Sequence, residues 1–222
     1  MKTVINEIFT SIQGEGPVVG YRQLFIRFCN CNLNCAYCDT EFQSGQEFTP
    51  QELFDTIDFE YDLQNIHSIS LTGGEPLLSA EFLREFLPKV KQKTKIYLET
   101  NATLAGQLSL IKENIDIISA DIKLQSSSGI DTFKLHQRFF KECCGIETFA
   151  KIVFDENITD TEIQKCCNLG QENGIELILQ PKMNGNKMSV SSDFCEKTLD
   201  KFLSNYKNVR LIPQVHKFLD VR

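Results

Sequence analysis

Seven short apolar segments recur along the chain, and each has the composition of a buried β-strand. They are rich in Ile, Leu, Val and Phe, as strands buried on both faces of a parallel sheet tend to be. The predicted strands are residues 24–28, 68–72, 95–100, 115–122, 148–154, 176–180 and 209–212. Helical patterns separate them, so the sequence predicts a regular alternation of strands and helices.

Three of these helical patterns carry clear signals. Residues 49–52 (Thr-Pro-Gln-Glu) and 159–162 (Thr-Asp-Thr-Glu) are capping boxes, which predict helix starts. Apolar positions between residues 82 and 90 follow the spacing of a helix that faces the core. Gly174 is a predicted stop for the helix that begins near residue 160.

The alternation predicts an α/β fold with a mostly parallel sheet, right-handed crossovers and outer helices. The chain has 222 residues and about six units, whereas a full eight-unit barrel needs about 250 residues. A partial (β/α)6-type barrel therefore fits better. No repeat, low-complexity segment or linker is visible, so we expect a single domain over residues 1–222. Functional residues are expected at the C-terminal ends of the strands.

Charge and hydropathy exclude several classes of protein. The 23 basic and 30 acidic residues give a net charge of −7, which argues against a nucleic-acid binder. No apolar run reaches the roughly 18–20 residues of a membrane span, and residues 1–7 do not resemble a secretory signal. We therefore expect a cytoplasmic protein without a membrane or nucleic-acid partner.

The nine cysteines point to metal or redox chemistry. Cys31, Cys35 and Cys38 lie in one short loop after the first predicted strand. An iron–sulfur cube held by three thiolates keeps one iron open for chemistry, whereas an electron carrier uses four. Zinc is the rival, but a structural zinc site needs four ligands, and no second C-x-x-C pair occurs. Polar neighbours argue against three merely buried thiols.

The other six cysteines are assigned to structure. Cys29 has a spacing that could pair it with Cys35 and Cys38, but it is expected to continue the strand and point toward packing. The remaining five lack cluster spacing and are predicted to pack in the interior. They are Cys143, Cys144, Cys166, Cys167 and Cys195.

Three further polar motifs follow successive predicted strands. They are residues 72–76 (Thr-Gly-Gly-Glu-Pro), 99–101 (Glu-Thr-Asn) and 121–123 (Asp-Ile-Lys). Each alone also fits a turn, a strand-end cap or a solvated ion pair. Their succession on one predicted rim favours a shared site.

The C-x-x-x-C-x-x-C loop with Tyr37 before its last cysteine resembles the radical S-adenosylmethionine (SAM) superfamily. The resemblance implies a [4Fe-4S] cluster held by Cys31, Cys35 and Cys38, with SAM chelating the open iron and being cleaved to a 5′-deoxyadenosyl radical. Gly74 and Glu75 would meet the SAM ammonium, with Glu75 supplying the opposite charge. The full set of implied SAM contacts is Tyr37, Cys38, Asp39, Gly74, Glu75, Thr100, Asn101, Asp121, Ile122, Lys123, Gln180 and Pro181.

Residues 7–17 narrow the resemblance. Together with Gly20, Phe25, Arg27, residues 38–40 and residues 213–217, they resemble the 7-carboxy-7-deazaguanine synthase family from residue 7 to the C-terminus. That family contracts 6-carboxy-5,6,7,8-tetrahydropterin to 7-carboxy-7-deazaguanine with loss of ammonia. The reaction leads to queuosine- and archaeosine-type tRNA bases. The resemblance also implies catalytic use of SAM, a Mg²⁺ ion, an electron donor of flavodoxin or ferredoxin type, and a homodimer.

The same resemblance assigns the pterin contacts. They are Ile12, Gln13, Gly14, Glu15, Arg27, Thr72, His216 and the terminal carboxylate of Arg222. Arg27 is expected to bind the substrate carboxylate, although a rim salt bridge would also explain a strand arginine. Thr40 would ligate Mg²⁺, although a threonine after an aspartate also fits a turn.

Two motifs depart from the family pattern. Many relatives have Ser-Pro-Lys where this chain has residues 121–123, and Asn-Gly-Thr where this chain has Asn101, Ala102 and Thr103. These departures bear on SAM contacts and leave the reaction class unchanged.

Two other functions remain open at this point. A glycyl-radical activating enzyme would share the fold but has no use for the Gln13–Glu15 segment or Arg27. An iron–sulfur or zinc module for electron transfer or protein contact would need four metal ligands and no open site.

Overall fold

The structure is a computed structural model that describes residues 1–36 and 45–221, and the described residues form one nine-stranded sheet and a separate hairpin. The strands are β1 (Thr3–Ile12), β2 (Arg22–Phe28), β3 (Gln46–Phe48), β4 (Ser68–Gly73), β5 (Lys95–Thr100), β6 (Ile117–Ile122), β7 (Glu147–Phe154), β8 (Glu176–Pro181), β9 (Met183–Asn184), β10 (Lys187–Met188) and β11 (Val209–Leu211). The sheet order is β11-β8-β7-β6-β5-β4-β2-β1-β3, and β9 pairs with β10.

The predicted parallel sheet is confirmed. Strands β2, β4, β5, β6, β7, β8 and β11 are consecutive parallel neighbours, and each lies within two residues of a predicted strand. The outer strands β3 and β11 do not pair with each other, so the sheet is an open, partial barrel.

The strand β1 has no counterpart among the predicted elements. It runs antiparallel to both β2 and β3. Its register shifts between Ile5 and Glu7, and such a bulge breaks the alternation of apolar and polar residues that would have revealed the strand.

Eight α-helices surround the sheet in the described part of the chain. They are α1 (Pro50–Glu60), α2 (Ala80–Val90), α3 (Ala105–Ser109), α4 (Gln125–Ser128), α5 (Phe133–Glu142), α6 (Asp160–Asn173), α7 (Ser192–Asn205) and α8 (Val215–Leu219). Both predicted capping boxes are present at α1 and α6. Gly174 ends α6 with a φ of +66°, as expected for a left-handed C-cap.

The two faces of the parallel strands have different chemistry. On one face, apolar side chains such as Leu71, Leu98 and Ile152 are fully buried in the main core beneath the helices. On the other face, the alternate residues include Glu99 and Lys151, which line a cavity. The prediction of strands buried on both faces holds, but one buried face is largely polar.

Among the described residues, no helix has the length and apolar character needed to cross a membrane. The eight cysteines in the same part of the chain are all free thiols.

Candidate functional site

The inner face of the sheet carries a cavity of about 1090 Å³. Its walls come from β1, β2, β4 to β8, the cysteine loop, the turn after β1 and the C-terminal segment. Of the predicted site residues, those that line it are Ile12, Gln13, Gly14, Glu15, Arg27, Cys31, Cys35, Thr72, Gly74, Thr100, Asn101, Asp121, Lys123, Gln180 and His216. Most of the predicted cofactor and substrate positions therefore share one space.

Two of the three predicted cluster ligands open into this cavity. Cys31 and Cys35 are half-buried and line its wall. The Cys31 Sγ accepts hydrogen bonds from the backbone N–H of Leu33 at 3.5 Å and from Asn101 Nδ2 at 3.7 Å. Such donors stabilise the negative charge of a thiolate. The third predicted ligand, Cys38, lies outside the described residues, as do Tyr37, Asp39 and Thr40.

The cysteines assigned to structure behave mostly as predicted. Cys29 lies directly after β2, is half-buried, and its backbone N–H donates to Val4 O at 3.1 Å. Cys143, Cys166, Cys167 and Cys195 are buried, and burial raises the pKa of the Cys143 thiol to about 12. The packing prediction is wrong for Cys144, which is exposed because adjacent residues at a helix end point in different directions.

The glycines after β4 allow close backbone approach. Gly73 has a φ of +111°, and a Cβ there would lie 2.3 Å from Phe28 O. Gly74 donates its N–H to the same carbonyl at 3.0 Å. The turn is thereby fixed to the end of β2, and Gly74 borders the cavity.

Glu75 has a different environment from the one predicted. Its side chain is fully buried and does not line the cavity. It accepts hydrogen bonds from Leu77 N at 3.0 Å, Thr100 Oγ1 at 2.9 Å and Asn101 N at 2.7 Å. Burial raises its pKa to about 7, against the opposing effect of these donors. Glu75 thereby ties the turn after β4 to the end of β5, and its contact with the SAM ammonium stays a prediction.

Asn101 belongs to a small hydrogen-bonded cluster beside Cys31. Its Nδ2 donates to Asn32 Oδ1 at 2.8 Å, and its Oδ1 accepts from Thr103 Oγ1 at 2.6 Å. Asn32 Nδ2 in turn donates to Thr103 Oγ1 at 2.9 Å. This ring fixes the side chain that donates to the Cys31 sulfur.

The departure at Ala102 has a conformational cost. Ala102 adopts a φ of +55° while fully buried, a conformation that favours glycine over residues with a Cβ. Its carbonyl accepts a hydrogen bond from His136 Nδ1 at 3.1 Å, and His136 Nε2 accepts from Lys123 N at 3.1 Å. Burial lowers the pKa of His136 to about 4, so the neutral imidazole links the ends of β5 and β6.

Alternation along the strands places the side chains of two predicted SAM contacts away from the cavity. Asp121 and Lys123 line the cavity, whereas Ile122 between them points into the helix-covered core. Gln180 likewise lines the cavity, and the buried Pro181 after it does not. Side chains that succeed each other on a strand point to opposite faces, so only one side chain of each pair lines the cavity. The predicted SAM contacts of Ile122 and Pro181 would therefore be made by backbone atoms.

Arg27 and Thr72 are cross-strand neighbours on β2 and β4. Arg27 Nε donates to Glu7 Oε1 at 2.6 Å, and its guanidinium lies 5.7 Å from the centre of the Phe9 ring. Thr72 Oγ1 donates to Glu99 Oε2 at 3.2 Å. Both side chains border the cavity while holding protein partners.

The turn after β1 is held from several directions. Gln13 is buried, donates to Gln23 Oε1 at 2.8 Å and Glu99 Oε1 at 3.0 Å, and accepts from Glu15 N at 2.9 Å. A Cβ on Gly14 would lie 2.4 Å from His216. The C-terminal segment therefore packs closely against Gly14, which the resemblance assigns as a pterin contact.

Glu15 and the C-terminal segment form another part of the cavity wall. Gln214 Nε2 donates to Glu15 Oε1 at 2.6 Å, and the backbone N–H of Val215 donates to Gly14 O at 2.9 Å. His216 borders the cavity. Arg222, whose carboxylate is a predicted substrate contact, lies outside the described residues.

With this geometry in place, comparison with known proteins identifies the family. Residues 25–142 match the Radical SAM superfamily. A 7-carboxy-7-deazaguanine synthase of Geobacter sulfurreducens is 34% identical, over 97% of this chain and 96% of that protein. A synthase of the same name from Archaeoglobus fulgidus is 32% identical, over the full length of both chains. The chain belongs to the 7-carboxy-7-deazaguanine synthase family.

Solved structures agree on the fold. The crystal structure of QueE from Escherichia coli matches with a TM-score of 0.65 and 19% identity, over 97% of this chain and 95% of that one. Streptococcus suis SuiB bound to S-adenosylmethionine matches with a TM-score of 0.57 and 17% identity, over 85% of this chain and 49% of that one. Membership of the synthase family thus carries the radical SAM fold, an iron–sulfur cluster and SAM with it.

The residues present in this family member fit those two groups. Thiols suit an iron–sulfur cluster, and two of them open into the cavity beside N–H donors. Asp121 and Lys123 form an ion pair at 2.9 Å on the same wall, which matches the charged ammonium and carboxylate of an amino acid such as the methionyl part of SAM.

Glu99 and Lys151 are charged residues of the cavity that the sequence did not assign to a SAM or pterin contact. Glu99 accepts hydrogen bonds from three side chains, and Lys151 is paired with Glu15 and with Asp121. The sequence signal for Lys151 is a lysine inside the apolar segment 148–154, because a lysine is rarely buried without an acidic partner.

Proposed function

We propose that this protein catalyses the radical contraction of 6-carboxy-5,6,7,8-tetrahydropterin to 7-carboxy-7-deazaguanine with loss of ammonia. The observation that carries the proposal is the identity of 34% over nearly the whole length of a synthase of that name. The shared cavity of the cluster thiols and the 12–15 segment supports it.

In this assignment Cys31, Cys35 and Cys38 hold the [4Fe-4S] cluster, which with SAM supplies the radical that starts the reaction. Gly74, Thr100, Asp121, Lys123 and Gln180 then bind and orient SAM. Asn101 acts on the Cys31 sulfur, at 3.7 Å, as well as on the SAM side of the cavity. Glu75, Ile122 and Pro181, whose side chains are buried, complete the predicted set of SAM contacts.

The pterin occupies the part of the cavity between the 12–15 segment and β2. Its flat ring needs hydrogen-bonding groups at its edge, which Ile12, Gln13, Gly14, Glu15 and Thr72 supply through backbone and side-chain atoms. Arg27 binds the carboxylate through N–H donors other than the Nε–H that it gives to Glu7, since a guanidinium has five N–H donors. His216 and the terminal carboxylate of Arg222 close the pocket.

Thr40 ligates a Mg²⁺ ion in this proposal, together with substrate oxygens. Magnesium prefers oxygen ligands and keeps several waters, so one protein ligand suffices. Thr40→Ala should weaken the magnesium dependence of turnover while the iron and sulfide content stays at the wild-type level. Turnover with an unchanged magnesium dependence would remove Thr40 from the site.

The deciding experiment is an anaerobic incubation of reconstituted protein with reductant, Mg²⁺, SAM and 6-carboxytetrahydropterin, analysed by mass spectrometry. We expect a deazaguanine carboxylate only when SAM and the reductant are both present. Formation of 5′-deoxyadenosine without that product would keep radical chemistry but reject this substrate. Neither product, from protein with an intact cluster, would favour an electron-transfer module.

The physiological reductant in this proposal is a flavodoxin or ferredoxin, and the active species is a homodimer that works in the cytoplasm. Reconstitution of turnover with each purified carrier tests the first point. Light scattering of the purified protein tests the second, and a monomer with full activity would contradict it.

A further inference from the structure

Lys151 on β7 connects two parts of the cavity that the family assignment treats separately. Its Nζ forms an ion pair with Glu15 Oε2, in the turn after β1. It also lies 3.3 Å from Asp121 Oδ1, at the end of β6. Asp121 and Lys151 are direct cross-strand partners in the sheet, so strand register brings the second pair together.

Lys151 and Glu15 are both largely buried, and each keeps its charge because of its ion-pair partners. The Lys151 side chain is 5% exposed, and that of Glu15 is 15% exposed. Burial alone would lower the pKa of Lys151, but Asp121 and Glu15 raise it well above its ordinary value. Burial would likewise raise the pKa of Glu15, but Lys151 and Gln214 bring it to about 2. Both groups therefore stay charged across the working pH range.

Glu15 depends on Lys151 more than Asp121 does. Asp121 has a second cation, Lys123, at 2.9 Å. The Glu15 carboxylate also accepts a hydrogen bond from the neutral amide of Gln214, at 2.6 Å, and an electrostatic contribution from His216 helps to lower its pKa. Among the described residues its one ion pair is with Lys151. Loss of the Lys151 ammonium would therefore leave Asp121 paired and Glu15 as a buried anion without an ion pair, which is the costlier state.

We propose that Lys151 is a positioning residue that fixes the Glu15 carboxylate, and with it the pterin-binding turn, against the SAM-binding end of β6. The inference rests on the proposed function. In this proposal Lys151 fixes the distance between the bound pterin and the bound SAM. A pterin held at the wrong distance reacts poorly, because radical transfer requires close contact between the reacting atoms.

The test compares Lys151→Met with Lys91→Met. Lys91 pairs with Asp116 at 3.0 Å outside the cavity, with about a third of each side chain exposed, so it is a matched control for the loss of an ion pair. In Lys151→Met we expect the KM for the pterin to rise at least tenfold and the KM for SAM to change less than threefold. Abortive 5′-deoxyadenosine should accumulate relative to product. Lys91→Met should match the wild type in all three.

A second pair of variants separates positioning from direct contact. If Lys151 acts through Glu15, adding Lys151→Met to Glu15→Gln should change the KM less than threefold further. Equilibrium dialysis of the pterin against SAM-loaded enzyme without reductant should show the same pattern in Kd. Multiplicative effects in the double variant would mean that Lys151 contacts the substrate itself, which overturns the proposal.

Other outcomes are equally decisive. A pterin KM and a coupling ratio in Lys151→Met within threefold of wild type would reject the proposal. So would failure of both Lys151 variants to fold while Lys91→Met folds, because the lysine would then serve stability alone. Failure of the proposed function is visible separately, since the wild-type protein would neither bind nor convert the pterin.

Discussion

The backbone of Gly14 lies directly against the side chain of His216. A Cβ at position 14 would stand 2.4 Å from both Cβ and Nδ1 of His216, and the Gly14 carbonyl accepts a hydrogen bond from Val215 N at 2.9 Å. The turn after β1 and the helix α8 therefore form one wall of the cavity, and a methyl group at position 14 would push them apart.

Gly14→Ala is accordingly expected to displace α8 and to raise the KM for the pterin about tenfold or more, since a shift of about 1 Å near a reacting pair costs roughly that much or more. Steady-state kinetics measure the rise in KM. Faster hydrogen exchange in residues 214–221 measures the displacement of α8.

Gly106→Ala is the matched control. Gly106 lies in α3, and a Cβ there would meet no atom within 4 Å. This substitution should leave the KM unchanged and stabilise the protein by up to about 1 kcal/mol through helix propensity. Equal kinetic effects of the two substitutions would contradict the contact with His216.

Cys31→Ser and Cys35→Ser should each abolish the cluster, because a serine hydroxyl does not replace a thiolate on iron. The measurement is the iron and sulfide content after anaerobic reconstitution, followed by turnover. Cys29→Ala is the comparison, since Cys29 lies outside the cavity. It should retain the cluster, and loss of iron in that variant would make Cys29 a ligand.

The pH dependence of stability should contain a contribution from His136. Its pKa falls from the ordinary 6.5 to about 4 on folding, so the unfolded chain binds a proton that the folded chain does not. Stability is therefore lost as the pH falls from about 6.5 toward 4, by about 3 kcal/mol in total. Urea unfolding of wild type and His136→Gln at several pH values measures this.

The informative quantity is the difference in the free energy of unfolding between the wild type and His136→Gln at each pH. Glu75, whose pKa is raised to about 7, contributes stability that is present at low pH and lost as the pH rises toward 7, which is the opposite sign. That contribution is common to both proteins and cancels. A difference that does not change between pH 7 and pH 4.5 would show that His136 is not the group responsible.

Arg27→Ala should raise the KM for the pterin by about tenfold to a hundredfold, the usual cost of losing a hydrogen bond to a charged group. Arg210→Ala removes a comparable exposed pair with Glu176 at the β11 edge of the sheet and should leave the KM unchanged. An Arg27→Ala enzyme with wild-type affinity would mean that Arg27 serves only its bond to Glu7.

The parallel strands could be predicted because each is apolar along its length and ends at a turn or helix signal. The strand β1 could not, since its bulge at residues 5–7 disrupts the alternation. The helices α5 and α7 lie between predicted strands, as the alternation predicts, but no capping box or apolar spacing was assigned to either. Propensity and pattern act over short ranges, whereas a bulge is fixed by the partner strand.

In the candidate site, too, the features that could be predicted involve residues close in sequence, and those that could not involve residues far apart. Motif spacing identified the cysteine loop and the strand ends, because those residues are close in sequence. The contacts of Lys151 with Glu15, and of Glu75 with Asn101, join residues that are far apart in the chain. Motif spacing also did not separate Ile122, whose side chain is in the core, from Asp121, which lines the cavity, because a strand sends neighbouring side chains to opposite faces.

The two-faced strands also define how this protein can tolerate change. On β6, Ala120 and Ile122 face the helices while Asp121 faces the cavity. A saturation scan through β4 to β8 should therefore give sensitivity with a period of two residues. At the core-facing positions, a change in side-chain volume would lower the amount of folded protein. At the cavity-facing positions, a substitution would lower catalytic activity while the protein stays folded. Substrate preference could then be redesigned along one set without rebuilding the core.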